Sequence, residues 1–424
     1  MKKKLIVLTL LSCITGSALL CGCNSPAGTN TSHEVASFTG SRESVLEATV
    51  TENDMSTSEA YLALSANLLR LNYEENTNML VSPASVEIAL AMAMGGADNE
   101  TLAQMQVLLG GGATPEEVYA FCQTLMTEMT EGENASFHAA NSVWVNESKN
   151  YGDFNPDYEA LLENSFGAEL NALPFDEKAE KEINNWCSDN TDEMIPEIVK
   201  NIDPDSAAYL INALSFEATW ASPYESDATH TGTFNNEDAT TSEVTFMEET
   251  LYTYYEAGNA SGFRKEYADG KYAFLAILPN EDITLKTFLE TFDADAYLAF
   301  CDSETSEYTV STSLPKFEYS YSNELSEQLI SLGMADAFDQ NRADFGRIFA
   351  EAGNAFYIAK VLHKTAITVD TEGTRAAAVT AIEMRDNCAF EMPEKEVILD
   401  RPFVYAIIDT ETNMPIFLGT VNTL

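Results

Sequence analysis

Apolar residues along the first half of the chain recur at helical spacing. "SEAYLALSANLLRLNY" (58–73) predicts a helix, and so does "NMLVSPASVEIALAMAMGGA" (78–97), where Ser82 is suited to cap the helix and Pro83 to its first position. "ETLAQMQVLLGG" (100–111) predicts a helix ended by glycine. "PEEVYAFCQTLMTEM" (115–129) predicts another, with acids in its first turn. "FHAANSVWVNE" reads as a strand; "PDYEALLENSFGAEL" and "EKEINNWCSDNTDEM" read as helices. After "AAYLINALSFEATW" the period shifts toward two. "SEVTFMEETLYTYYEA", "GFRKEYADGKYAFLAILP", "EYTVSTSLPKFEYSY", "AFYIAKVLHKTAITV" and "EVILDRPFVYAIIDTETNMPIFLGTVN" read as strands, and one helix, "NELSEQLISLG", interrupts them. Helices first and strands later indicate an α+β fold around large antiparallel sheets.

The ends of the chain modify this picture. "MKKKLIVLTLLSCITGSALLCGC" has a basic start, an apolar stretch and small residues before a cysteine, which is the pattern of an export signal. Leu20-Cys21-Gly22-Cys23 resembles a bacterial lipobox with Cys23 as the acylated residue. Two acyl chains on one cysteine suffice for stable anchoring. Residues 24–58 are rich in Ser, Thr, Gly and Glu and read as a disordered stalk. The expected organisation is therefore a signal peptide at 1–22, a stalk at 23–58 and one domain at 59–424, on the outside of the cell, anchored through Cys23 or secreted.

The 45% apolar share of the 424 residues fits a globular protein with a substantial core. The net charge of −46 disfavours nucleic acid and anionic membrane surfaces and favours cationic partners. Removal of 1–22 takes away three lysines and no acids, leaving −49. Between Leu71 and Ser148 there is no Lys or Arg, which argues against a heparin-binding face there. Enzyme signatures are missing: no G-x-S-x-G, no H-E-x-x-H and no G-x-x-x-x-G-K occurs. The four His and the Cys outside the leader have no metal-ligand spacing, so neither metal nor cofactor is implied.

One segment near the C-terminus has no obvious place in a core. "VLHKTAITVDTEGTRAAAVTAIEM" (361–384) begins as a strand, breaks at Glu372-Gly373-Thr374, and continues as Arg375-Ala376-Ala377-Ala378-Val379-Thr380-Ala381-Ile382. That run has no Gly or Pro and only Arg375 as a charge; it is competent as strand or helix. As a strand it would point Thr374, Ala376, Ala378 and Thr380 to one face, all of them small. Arg375, Ala377, Val379 and Ala381 would point to the other.

With "VSPASVEIALAMAMGGA", "NSVWVN", "INNWCSDNTDEMI", "LINALSFEATW", "LPKFEYSYSNELSEQLISLGMADAF", "VLHKTAITVDTEGTRAAAVTA" and "DRPFVYAIIDTETNMPIFLGTV" in this order, the chain from 59 to 424 resembles the serpins. The resemblance implies a serpin fold of three β-sheets and eight or nine helices with an exposed C-terminal reactive loop. It implies a monomeric inhibitor of serine proteases and no catalysis: a protease cleaves the loop, which then inserts as a new strand into the largest sheet. Residues 372–380 match the hinge of that loop, with Arg375 standing where inhibitory members usually carry Glu and Thr371 where they prefer an acid. Ser82, Ser85, Asn212 and His363 match positions where the sheet opens, and Trp220 matches the aromatic at its top. In that family the scissile bond falls about thirteen residues after the hinge Thr, so the resemblance implies Asn387–Cys388, with Arg385 and Ala389 as neighbouring alternatives. The small residues around 388–389 suit an elastase-like target. The second reading is a non-inhibitory member serving as a cell-surface binding module.

Overall fold

The computed structural model describes residues 55–130, 135–191, 193–225, 227–351, 356–374 and 392–424. In chain order the first half contains helix α1 (Thr57–Leu71), strand β1 (Met79–Val81), helices α2 (Pro83–Met94), α3 (Asn99–Gly110) and α4 (Pro115–Thr130), strand β2 (Ala135–Asn146), helix α5 (Pro156–Phe166), strand β3 (Glu169–Leu173), helix α6 (Glu177–Asp189) and strand β4 (Ala208–Thr219). Strands β5 (Thr229–Asn235), β6 (Thr241–Leu251), β7 (Tyr254–Ala257), β8 (Ala260–Glu266) and β9 (Tyr272–Pro279) follow, then helices α7 (Leu285–Glu290) and α8 (Ala294–Cys301). The remainder is β10 (Thr309–Pro315), β11 (Phe317–Glu324), α9 (Ser326–Ser331), β12 (Lys360–Val369), β13 (Gly373–Thr374), β14 (Glu394–Ile398), β15 (Phe403–Asp409) and β16 (Pro415–Val421).

These strands form three sheets: β11-β12-β13-β4-β2-β3, β1-β16-β15-β9-β8-β7, and the four-stranded β14-β10-β6-β5. With nine α-helices and three sheets among the described residues, the architecture is the α+β arrangement that the sequence and its resemblance imply. Local signals explain the helix ends. Ser56 and Glu59 close a capping box on α1, Ser82 caps α2 with Pro83 at its first position, and Gly111 ends α3 at φ 62°. Strands β9, β15 and β16 are buried at every residue, which puts their sheet at the centre of the molecule. Strand β12 alternates strictly between buried and half-buried residues. One of its faces therefore meets the main core, and the other meets a smaller layer. There α6 and residues 195–199 cover Trp144, Tyr209 and Ile211.

Several elements differ from the periodicity reading. Helix α1 starts at Thr57, one residue before the start read from the apolar period at 58. Two helices, α7 and α8, lie in the part read as strands with a single helix; at six and eight residues they are set by their caps, Thr284 and Asp293, rather than by a long apolar stripe. "EYTVSTSLPKFEYSY" is two strands. The chain leaves the four-stranded sheet after Pro315 and enters the six-stranded one at Phe317, with the Lys316 amide bonded to the Thr245 carbonyl at the crossing. The helix read from "NELSEQLISLG" is only Ser326–Ser331, because Asn323 and Glu324 are still paired to β12. Strand β5, at 229–235, is polar on most positions and carries no strand period to read.

Candidate functional site

Strands β12 and β4 are neighbours in one sheet but touch along only part of their length. They pair in parallel from Lys360↔Tyr209 to Lys364↔Ala213. Above Lys364 they separate, and β13 enters between them from the top: Thr374 pairs with Val369 of β12 and with Ala218 of β4. Among the described residues, no strand lies between 365–368 and 214–217. The sheet is therefore split, with a slot closed at both ends.

The upper end is built on a tight turn. The Asp370 carboxylate accepts from the amides of Glu372 (2.8 Å) and Gly373 (3.2 Å), and the Asp370 amide donates to the Gly373 carbonyl at 3.0 Å. A Cβ on Gly373 would fall 2.1 Å from the Ala218 carbonyl oxygen, so the close approach of β13 to β4 requires glycine. Glu372-Gly373-Thr374 was expected to be a break in the chain awaiting insertion. Instead Gly373 and Thr374 are already a strand, and Thr374 is 1% exposed. Its hydroxyl lies 2.6 Å from that of Tyr267. Trp220, fully buried, stacks on Tyr267 with ring centroids 4.6 Å apart. Its amide donates to the Glu372 carbonyl and its indole N–H to the Asp370 carbonyl, both at 2.9 Å. The Tyr224 amide donates to the Thr371 carbonyl, also at 2.9 Å. Every carbonyl of the turn from 370 to 372 is thus held by the segment 220–224.

The lower end depends on α2. The Ser82 side chain accepts from the Ser85 amide at 3.2 Å, capping the helix, and donates to the Ile416 carbonyl at 2.9 Å. The Ser82 amide donates to Nε2 of His363 at 3.1 Å. His363 is buried, and burial lowers its pKa to about 4, so the ring is neutral with its proton on Nδ1. The Thr365 hydroxyl donates to the Leu80 carbonyl at 2.7 Å. In register, Asn212 of β4 stands beside His363 on one side and Asn141 of β2 on the other. One turn further along α2, Glu87 is fully buried, and both carboxylate oxygens lack a hydrogen-bond partner among the described residues. Burial pushes its pKa well up, so it is a neutral acid.

The structure brings Ser82, Ser85 and His363 together, with Asn212 at the adjoining register position, while Trp220 stands at the opposite end beside Asp370–Thr374. Tyr267, Thr365 and Glu87 were not singled out from the sequence. Nothing in "EYADGKY" distinguishes a tyrosine that reaches a strand more than a hundred residues away. Arg375, Ala376, Ala377, Ala378, Val379, Thr380, Arg385, Asn387, Cys388, Ala389 and the lipidation candidate Cys23 lie outside the described residues. Among the described residues no group of three or more His, Cys, Asp or Glu could hold a metal ion, and Cys122, Cys187 and Cys301 are buried free thiols.

The profile of the family described as Serpin (serine protease inhibitor) matches residues 59–424. Serpin B6 of Macaca fascicularis is 30% identical over 378 residues, covering 85% of this chain and 97% of that protein. The leukocyte elastase inhibitor of Xenopus tropicalis is 29% identical over 380 residues, covering 85% and 98%. The crystal structure of a thermophilic serpin, tengpin, in its native state superposes with a TM-score of 0.80 at 37% identity, covering 89% of this chain and 98% of that one. A split sheet with a strand begun at its upper end, and a family match spanning the whole described fold, lead to one conclusion: the chain belongs to the serpin family.

Proposed function

We propose that this protein inhibits serine proteases as a suicide substrate, trapping the acyl-enzyme by inserting its cleaved loop into the slot between β12 and β4. The observation that carries the reading is the register of β13. Continued unbroken from Thr374, it sets Ala376 between Phe216 and Ile367, Ala378 between Leu214 and Thr365, and Thr380 between Asn212 and His363. Those flanking positions face the main core wherever their burial is described. The small residues of the segment thus fall on the face where little room is available. The same register reaches Met384 opposite Ala208, the first residue of β4. Eleven residues, Thr374 to Met384, would fill the slot over ~36 Å.

The chemistry is the protease's own. Its serine attacks the scissile carbonyl, Asn387 in the leading assignment with Arg385 and Ala389 as alternatives, and the peptide bond breaks. The C-terminal piece stays in the fold through β14, β15 and β16. The N-terminal piece remains esterified to the protease and is free to insert, gaining ladder hydrogen bonds on both edges. From Val379 onward it must part the direct pairing of β12 with β4, which runs from Lys364–Ala213 to Lys360–Tyr209, so the polar cluster at His363 stands at the entrance to the closed stretch. The bound protease is drawn along the length of the sheet. The uncut fold is held from this lower-energy state kinetically.

The small residues at 388–389 and the charge of −46 suit an elastase-like, cationic target. The relatives include a protein named leukocyte elastase inhibitor. Export and acylation at Cys23, with a stalk leading to the domain, place the inhibitor at the outer surface of a bacterial cell.

Incubation with a panel of serine proteases tests the reading. Complexes stable in SDS are expected, with a C-terminal fragment beginning at Cys388, Ala389 or Phe390 by mass spectrometry. A fragment beginning at Asp386 assigns a trypsin-like target instead. A fragment beginning before Asp386, or cleavage without any complex across the panel, overturns the proposal.

A further inference from the structure

Lysine is among the side chains least often buried, yet Lys265 on β8 is 2% exposed. Its ammonium group ion-pairs with Glu249 on β6 and donates to the Ser222 carbonyl at 2.8 Å. It lies 4.2 Å from the ring centroid of Tyr224 and 5.4 Å from that of Trp220. One cation therefore joins a strand of the central sheet, a strand of the four-stranded sheet, and the segment 220–224. That segment is the strap whose N–H groups hold the carbonyls of Asp370, Thr371 and Glu372.

A buried ion pair is weak evidence for stability, since apolar side chains of similar volume do as well. What the pair adds is direction. It fixes a carbonyl and two aromatic rings that an apolar contact would leave free to slide. Direction matters here because β13 has only two residues and cannot fix its own register. A slip by one residue would exchange the faces of the entering strand and turn Arg375 toward the core.

We propose that Lys265, with Glu249, is a positioning residue for strand insertion: it holds the strap 220–224 against the 370–372 turn and so sets the register in which the cleaved loop enters. The proposal rests on the inhibitory reading above for its consequence, but the tether itself can be read without a protease. The ammonium acts through Ser222, Tyr224 and Trp220, and touches neither the loop nor the target.

The test compares the full-length protein with the double variant Lys265→Met/Glu249→Gln, which removes the tether without leaving a carboxylate unpaired. The expected result has three parts. Hydrogen exchange of the peptide containing 370–374 in the uncut protein rises about tenfold. The stoichiometry of inhibition of an elastase-class protease rises at least about threefold, because a misregistered strand lets the acyl-enzyme hydrolyse first. The second-order rate of acylation stays within about twofold, a separation that general loss of structure would not give. Unchanged exchange at 370–374 overturns the tether. Raised exchange with unchanged stoichiometry overturns its role in insertion. If the wild type complexes no protease, the inhibitory reading fails, and the exchange result alone still decides the tether. Should the double variant not fold, Glu249→Gln alone carries the same comparison with a smaller expected rise.

Discussion

The two ends of the slot are closed by different physics. At the top, the new strand has already begun: Thr374 is paired on both sides, buried, and held by stacked aromatic rings and by amides that bind the turn carbonyls. At the bottom, β12 and β4 are still zipped directly together. On the main-core face their joint is backed by a neutral histidine and a capping serine. About 20 Å of strand separates the two, from Ala218 to Asn212. On the proposed mechanism, a stapled start and an openable finish would give insertion one direction. The top would supply a template already paired on both sides, and the bottom polar contacts that can be exchanged for others as strands part.

The sharpest way to break this comparison is to put the same charge at each end. Thr374→Arg would bury an unpaired cation against Tyr267 in the uncut protein as well as in the inserted one, at a cost of several kcal/mol. The expected outcome is loss of SDS-stable complexes together with a clearly lower melting temperature. Ala381→Arg should act differently. Continuing the register places residue 381 beside Ile211 and Leu362, on the face covered by α6. Complexes should be lost there too, but the melting temperature of the uncut protein should hold. Wild-type stoichiometry in either variant would mean that the register of insertion is wrong.

Acid should loosen the bottom of the slot. Above pH about 6.5 His363 is neutral folded or unfolded. As pH falls from there, the unfolded chain takes up a proton that the folded one refuses until about pH 4. Folded stability therefore drops across that window, by about 3 kcal/mol once both forms are protonated. Urea unfolding at pH 7 and 4.5 measures it, with His363→Asn as the reference in which this part of the pH slope should vanish. An unchanged slope in the variant would show that His363 is not the group responsible.

How far the sequence revealed these ends also differs. The lower cluster was legible only through the family resemblance: Ser82 before a proline and an apolar helix signals a helix cap, and a lone His363 in a strand signals by itself no more than a core residue. The α+β class was legible from the order of elements, and the three-sheet fold from the family resemblance. The upper end was legible only as far as Trp220. That β13 is already formed depends on Gly373 fitting against the Ala218 carbonyl, and on Tyr267 reaching Thr374 from another sheet. Neither contact has a period or a spacing to read. The short helices α7 and α8 were missed for a related reason, since a single turn or two of helix is too brief to establish a 3.6-residue pattern.

Glu87 offers a smaller adjustment of the lower end. A buried carboxyl with no partner leaves its desolvation uncompensated, so Glu87→Leu should stabilise the uncut fold by about 1–3 kcal/mol. Because the helix carrying it also carries Ser82, a tighter α2 should raise the barrier to parting β12 from β4 and increase the stoichiometry of inhibition. Calorimetry of the uncut protein and titration against a protease give the two numbers. Stabilisation without slower trapping would separate α2 from the opening step.

The least effect is expected at Arg375. The register places it between Thr368 and Glu217, on the outer face near the top, where both neighbours are half-buried. An arginine there keeps its head in water and its stem along the sheet. Arg375→Ala should therefore change the stoichiometry of inhibition by less than about twofold. Arg375→Glu would set like charges across the strand pair with Glu217, worth about 0.2–1 kcal/mol, and should be nearly as mild. The same substitutions in the double variant lacking the Lys265 tether are the finer test. If the register slips there, part of the inserting population turns residue 375 inward, and Arg375→Ala should then partly restore trapping. A severalfold effect of Arg375→Ala in the wild-type background would mean that residue 375 faces the core even with the tether intact.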